Sequence, residues 1–317
     1  MADEIPAYQP TLRLEERPQD AELEAVAAAI LNLDPNGGRF SSAVRRTIDM
    51  LLDGQHTGRF RWGQLFKTEK THAGTLIEIN LQREFVFGDG LRMDYKIAGC
   101  EVDCKFSQSR AGWMIPPEAV GELLLVVWAS DEESLWSVGL VRALPELLNA
   151  GGNRDAKRTL NNRGRQAVRW LFRDAPLQQN ILLRLPPGDI KAIFSSQSGQ
   201  QRVDELFIRA QGVRISRAVV ATVAMQEDYM KRVRYNGGSR SRLQHRGIVV
   251  LGHYANHNRV GRSLELPELR SGESMSARLV KWKPERGGRQ WAELDGQRWT
   301  LAAQGDPEEP VPKLPEV

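Results

Sequence analysis

The stretch RMDYKIAGCEVDCKF, residues 92–106, decides the fold. Charged and apolar residues alternate on both sides of Ala98-Gly99, the period-2 pattern of half-buried strands. Two intervening residues suit a tight β-hairpin. Such a turn sets Ile97 opposite Cys100, Lys96 opposite Glu101, Tyr95 opposite Val102 and Asp94 opposite Asp103. Opposed residues share one side of the sheet. One face is then Met93, Tyr95, Ile97, Cys100, Val102, Cys104 and Phe106, which is core; the other is Arg92, Asp94, Lys96, Glu101, Asp103 and Lys105, all charged. Two directly opposed carboxylates repel unless something positive sits between them. A hard divalent cation with oxygen ligands suits that place. Lys105, two residues after Asp103, then lies beside the ion, and two acids with a lysine around a divalent ion suit phosphodiester hydrolysis.

A charged outer face on an antiparallel hairpin is ordinarily just solvated. Asp-x-Lys alone carries little, since Asp155-Ala-Lys157 and Asp189-Ile-Lys191 also occur, both where an early acid would serve a helix dipole. Only Asp103-Cys104-Lys105 has a carboxylate opposite it. Glu78 supplies a third acid, within the apolar run Leu76, Ile77, Ile79, Leu81. That segment reads as a helix, followed by a strand at Glu84–Phe87 and a Gly88-Asp89-Gly90 turn into the hairpin. A carboxylate amid such residues needs a partner, either Arg83 or Lys70 or the metal site.

Composition narrows the field. The chain has 317 residues, enough for two domains, with 41% hydrophobic and 26% charged residues. Neither a signal peptide nor a membrane span is read, and a cytoplasmic protein is expected. Cys100 and Cys104 fall on one strand. Their Cα atoms would stand ~13 Å apart, beyond disulfide reach. Charge is divided unevenly: residues 180–317 hold 22 Lys+Arg against 15 Asp+Glu, and residues 1–179 hold 22 against 25. The densest stretch, 202–262, carries 12 basic and 4 acidic residues. A basic half beside an acidic, metal-binding half suggests that one part grips a polyanion and the other acts on it.

The expected division is an N-terminal extension over 1–19, a catalytic domain over 20–172, a linker over 173–179, a DNA-binding domain over 180–304 and a flexible tail over 305–317. In the catalytic domain Ala21–Leu31 and Ser42–Leu52 read as helices, and Glu122–Ala129 and Leu135–Val141 as strands. Leu123–Trp128 is continuously apolar, as a central strand requires. Arg154–Phe172 reads as a basic helix pair. In the second domain Arg202–Arg209 is one helix, and Ser216 caps another at Arg217–Ala224. A turn at Met225-Gln226-Glu227 leads into a helix Asp228–Arg234, a helix-turn-helix whose reading element ends in Lys231, Arg232 and Arg234. Arg240 and Arg242 follow on a Gly237-Gly238 turn before the buried strand Gly247–Gly252, as a wing would. With Arg217, these cations are the expected DNA contacts. His253 and His257 lack a nearby cysteine, so zinc is not expected.

The order Glu78, Asp94, Asp103-Cys104-Lys105 resembles the active-site pattern of the PD-(D/E)xK nuclease superfamily. More narrowly, DGQHTGRFRWGQLFKTEKTHAGTLIEINL (53–81), DYKIAG (94–99), VDCKFSQS (102–109), WMIPPE (113–118), VVWASD (126–131), NRDAKR (153–158), RAVVATVA (217–224) and GIVVLGH (247–253) resemble the NaeI-like type IIE restriction endonucleases over nearly the whole chain. The resemblance implies an α/β (α+β) fold, with a restriction-endonuclease-like mixed sheet flanked by helices. It also implies a C-terminal, catabolite-activator-like helix-turn-helix domain. Glu78, Asp94, Asp103 and Lys105 become the catalytic set. Mg²⁺ would be held by Glu78, Asp94, Asp103 and the backbone carbonyl of Cys104. Partners are substrate and effector copies of double-stranded DNA, cut at GCCGGC by a homodimer in a bacterial cytoplasm. One departure is Lys96, where the family carries an acid on the catalytic face. Another nuclease on the same core, acting on junctions or in repair, and a non-enzymatic DNA-binding regulator are the alternatives.

Overall fold

Asp20 opens the described part of the chain: the computed structural model describes residues 20–286 and 288–315, and the extension expected over 1–19 lies outside them. The Asp20 carboxylate caps α1 (Ala21–Leu33) by accepting the Leu23 amide at 3.1 Å. Helices α2 (Gly38–Leu52), α3 (Gly54–Thr57) and α4 (Lys67–Phe85) follow. Ile77, Leu81 and Phe85 recur every four residues and make the buried stripe of α4, which explains its helical form. The strand expected at Glu84–Phe87 is absent because that stripe carries the helix through Phe85 to a left-handed end at Val86. Gly88-Asp89, expected as a turn, is a short edge strand β1 (Gly88–Asp89).

The first sheet continues with β2 (Tyr95–Ile97), β3 (Cys100–Ser107), β4 (Leu123–Ser130), β5 (Leu135–Arg142) and β6 (Arg169–Pro176). The strands lie side by side in chain order, antiparallel except for the parallel pair β3–β4. The hairpin register is the one the alternation dictates, with Tyr95 opposite Val102 and Ile97 opposite Cys100. Ala98 (φ 51°) and Gly99 (φ 85°) both take positive φ, as a two-residue turn matched to strand twist requires. The whole of β4 from Leu123 to Ala129 is buried. Leu123, Leu125, Val127 and Ala129 join α1, α2 and α4 in one core, while Leu124, Val126 and Trp128 pack with Trp113, Ile115 and Val141 on the other face. Buried Arg45 of α2 ties the helical layer to the β4–β5 turn through Asp131 at 2.5 Å.

Two expectations fail here. The basic helix pair at Arg154–Phe172 is a loop, one short helix α5 (Asn162–Gln166) and the start of β6. The proposed linker is also shorter than read, because residues 173–176 complete β6 and pair with β5. The edge of β5 needs a backbone partner, and the arginines at 163, 165, 169 and 173 mask that demand in the sequence.

The C-terminal part begins with α6 (Pro187–Ile193), α7 (Gly199–Arg209), β7 (Ile215–Ser216) and α8 (Arg217–Ala224), the last capped by Ser216 as expected. It continues with α9 (Ser239–Arg242), β8 (Ile248–Gly252), α10 (Ala255–Ser263), β9 (Glu273–Lys281), β10 (Trp291–Leu294) and β11 (Gln297–Leu301). The long β9 joins β7 and β8 at one end to β11 and β10 at the other. The reading helix expected at Asp228–Arg234 is a 3-10 turn at Tyr229–Arg232, and α8 before it is buried from Val219 to Ala224. No wing hairpin forms at Gly237-Gly238; α9 occupies the place. Residues 305–315, expected as a flexible tail, lie across this part as a strap. Val311 and Leu314 are buried, and the Val311 amide donates to Gln244 O at 3.0 Å. The prolines and glutamates that suggest a tail hide the two apolar anchors.

The two parts touch through named residues. Phe60, from the loop before α4, is buried among Leu182, Val219 and Val223. The Asn180 side chain donates to Phe60 O at 3.1 Å, and Gln178 donates to Glu273 Oε1 at 2.8 Å.

Candidate active site

Three elements build the site, and β3 contributes most. Its alternation sends Val102 and Cys104 into the helical core and leaves Asp103 and Lys105 on the opposite face. The ladder between β2 and β3 stops at Tyr95–Val102, and beyond it a side chain takes over: the Cys104 amide donates to Asp94 Oδ2 at 2.7 Å. Asp94 is thereby fixed beside Asp103. Helix α4 is pinned to the hairpin by the fully buried Tyr95, whose hydroxyl donates to the backbone oxygen of Glu78 at 2.8 Å. The alternation marks Tyr95 only as core, although the buried end of its ring needs a hydrogen-bond acceptor. Met93 was placed on that same core face, but it packs with the opposite cluster, because the chain leaves the strand before Asp94.

Lys105 gathers the site. Its ammonium lies 2.5 Å from Asp103 Oδ2 and 4.0 Å from Asp94 Oδ2, and it donates to Cys104 O at 3.0 Å. Asp103 is only 6% exposed, and its Oδ2 has that ion pair but no well-aligned hydrogen bond. Burial pushes its carboxyl up to about 6; Lys105 works against the rise and the negative charge of Asp94 adds to it. Glu78 is half-buried, and its carboxyl is raised by desolvation and then by Asp94 and Asp103, with Lys105 opposing. Arg83 and Lys70, the alternative partners, do not figure among the charges acting on it. The thiol of Cys104 points into the core, where burial raises it, so the residue serves the site through its backbone alone.

The donors Asp94, Asp103 and Cys104 O are all oxygens, the set that Mg²⁺ prefers over softer metals. The buried, poorly satisfied Asp103 Oδ2 is where a cation would bring most relief. Among the described residues no three His, Cys, Asp or Glu side chains form a group that could by themselves hold a metal ion. Glu78 lies near enough for the charges of Asp94 and Asp103 to act on its carboxyl.

The cations expected to meet DNA are dispersed. Arg217 and Arg234 are exposed. Lys231 pairs with Asp228 at 2.5 Å, Arg232 donates to Gln226 at 2.7 Å, and Arg242 pairs with Asp204 at 2.7 Å while staying half exposed. Arg240 turns inward: it is 8% exposed, donates to Val250 O at 2.9 Å and lies over the Tyr254 ring. It holds α9 to β8 and is withdrawn from the expected contact set. His257 is also internal, its Nδ1 accepting the Gly252 amide at 3.0 Å. No helix among the described residues is long and apolar enough to cross a membrane.

The family described as Restriction endonuclease NaeI matches residues 24–310. The chain is 50% identical over 304 residues to "Type II restriction enzyme NaeI" of Lentzea aerocolonigenes, covering 93% of this chain and 95% of that protein. A solvated acidic hairpin on a regulator without catalysis is therefore set aside, and the chain belongs to the NaeI family of restriction endonucleases.

Proposed function

We propose that this chain cuts both strands of a specific duplex DNA site by Mg²⁺-dependent phosphodiester hydrolysis, with Glu78, Asp94, Asp103 and Lys105 as the catalytic set. The observation that carries the reading is the shared face of β3, where Lys105 lies 2.5 Å from a buried Asp103 oxygen and Asp94 is fastened alongside. Asp94, Asp103 and Cys104 O would hold the ion, with Glu78 directly or through water. When bound, Mg²⁺ offsets the charge of the phosphate and lowers the pKa of water beside it. Lys105, as an ammonium, would orient the attacking water with Nζ and offset the charge growing at phosphorus, while the water's proton passes to solvent.

Breaking both strands calls for two such sites, most simply in a C2 homodimer on a palindrome. GCCGGC is the target that the family resemblance favours, and the bacterial cytoplasm the place. The basic C-terminal part, through Arg217, Lys231, Arg232, Arg234 and Arg242, would bind a second, effector copy of DNA. Incubation with phage DNA and Mg²⁺, followed by sequencing of the ends, should give one defined cut site; scattered ends would indicate a junction or repair nuclease. A plasmid left intact by both Mg²⁺ and Mn²⁺ would overturn the reading. A short uncleavable duplex bearing the target should raise the rate on a one-site plasmid and then lower it. Inhibition at every concentration would remove the effector site, because pure competition can only slow the reaction.

A further inference from the structure

Glu101 belongs to no part of the chemistry above, yet it holds the most heavily bonded carboxylate near the site. It stands on β3, two residues before Asp103. Its Oε1 accepts the Leu91 amide at 2.9 Å, and its Oε2 accepts the amides of Arg92 at 3.0 Å and Met93 at 2.9 Å. Three successive backbone N–H groups converging on one carboxylate form an anion nest, which fixes their peptide planes. The next residue is Asp94. Its carboxylate is in turn held by the Cys104 amide, so the chain is fastened to β3 immediately before Asp94 by Glu101 and at Asp94 by Cys104. Asp103 and Lys105 sit on that same strand.

Apart from these bonds the segment is ordered by the Arg92–Glu122 ion pair at 2.8 Å and by the packing of Met93. Leu91 is 92% exposed, and residues 91–94 lie outside any strand. Gly90 completes the fit: a Cβ there would strike the Met93 carbonyl and approach Glu101 Oε2 to 2.9 Å. Lys96, opposite Glu101 across the hairpin, contributes no bond to the nest.

We propose that Glu101 is a positioning residue for the cleavage reaction. It clamps the loop Gly90–Met93 to β3 so that Asp94 meets the metal and the scissile phosphate in one preset arrangement with Asp103. The proposal rests on the nuclease reading above. A carboxylate committed to three amides has little capacity left for a metal, which separates this role from that of a ligand. Removing a group that orients a metal ligand typically lowers metal affinity or activity 10–100-fold.

The test uses the full-length protein and its Glu101→Ala, Glu101→Gln and Gly90→Ala variants. Glu101→Ala should lower kcat by roughly 10–100-fold and raise half-saturating Mg²⁺ by about tenfold, with KM for DNA little changed. Glu101→Gln keeps one acceptor oxygen and should recover part of the loss. Gly90→Ala should reproduce the defect with Glu101 intact, because it breaks the same loop. Mn²⁺ binding without DNA, followed by electron paramagnetic resonance, should weaken in parallel. Hydrogen exchange should show the Leu91, Arg92 and Met93 amides protected in the native protein and released in Glu101→Ala, whether or not the protein cleaves DNA. Native kcat and Mn²⁺ affinity in Glu101→Ala would overturn the proposal. So would a Glu101→Gln variant that loses Mn²⁺ binding as completely as Asp103→Ala, since that marks a direct ligand. A native protein that shows the protected amides but cuts no DNA with Mg²⁺ or Mn²⁺ would instead refute the nuclease reading.

Discussion

The acidic hairpin and the basic stretch 202–262 are both dense in charge, and the fold treats them in opposite ways. On β3 the charged residues are forced together: Asp103 is buried against Lys105, with Asp94 alongside, and burial raises both Asp103 and Glu78, the neighbouring carboxylates adding to the rise. In the basic stretch the cations are drawn apart. Arg202 donates to Val223 O and Ala224 O, and Arg240 donates to Val250 O. A strand gives a side chain no choice of face, so alternation alone brings its charges together. A turn or short helix leaves a long arginine free to find the nearest carbonyl, and buried carbonyls at helix ends need such donors. Concentrated charge kept at a cost in stability marks a site, whereas charge that is paired off marks architecture.

The largest effect that would break this comparison concerns β3. Asp103→Ala and Lys105→Ala should each lower cleavage by at least about 10³-fold in Mg²⁺, the scale expected when groups acting at the reacting phosphate are lost. Asp94→Ala should follow closely. Plasmid nicking and linearisation read the effect. DNA binding at low salt should persist, because the basic part is untouched. Appreciable cleavage by Asp103→Ala would remove the hairpin from the chemistry.

On the basic side the sharpest contrast lies between buried and exposed cations. Arg240→Ala should destabilise the protein by roughly 2–3 kcal/mol, since it strands the Val250 carbonyl and empties the contact over Tyr254. Urea denaturation measures it. Replacing Lys231, Arg232 and Arg234 together by alanine should barely move the denaturation midpoint, but should weaken duplex binding and flatten its salt dependence. An unchanged salt slope would mean that the basic part grips DNA through another surface.

Much of this was legible. The hairpin register from Tyr95 to Val102 and the buried β4 follow from a period of two and one turn, whereas Asp94, expected opposite Asp103 in the ladder, lies beyond it and is held there by the Cys104 amide. The helix at 67–85 followed from its apolar stripe, though its end did not, because Phe85 and Phe87 read equally well as strand. The C-terminal part was harder. Residues 228–234 have the composition of a basic helix, but α8 ends at a left-handed Met225 and Lys231 is satisfied locally by Asp228, so a single 3-10 turn suffices. The role of Glu101 was hidden for a different reason. It lay on the charged face as expected, but its partners are backbone amides, and no residue type announces them.

If charge is gathered on β3 at the expense of stability, neutralising it should stabilise the fold. The Asp103 carboxyl rises from an ordinary 3.8 to about 6 on folding. Below pH 3.8 it is protonated in both states and carries no penalty. Between 3.8 and 6 the unfolded chain releases the proton first, so stability falls as pH rises, and above 6 the full penalty applies. Asp103→Asn should therefore be more stable than the native protein at pH 8 in EDTA by about 1–2 kcal/mol, after allowing for the Lys105 partner it loses. The gain should vanish near pH 4 and shrink on adding Mg²⁺, which binds only the native site. Equal denaturation midpoints at pH 8 in EDTA would show that Asp103 lies in the site without strain.

Cys104→Ser gives the smallest effect and separates the two faces of one residue. The Cys104 backbone belongs to the site: its amide holds Asp94 and its carbonyl meets Lys105. Its side chain belongs to the core, buried with Tyr95, Val102 and Leu125. A serine leaves the backbone in place, so cleavage should stay within about threefold of native. The hydroxyl, however, enters an apolar setting in which Tyr95 already donates to Glu78 O and offers only an acceptor. That single available bond limits the loss of stability to roughly 1 kcal/mol, below the range for a fully unpaired hydroxyl. A cleavage loss comparable to that of Asp103→Ala, with stability retained, would mean that the sulfur itself reaches the reacting centre and that the alternation of β3 has been assigned to the wrong faces.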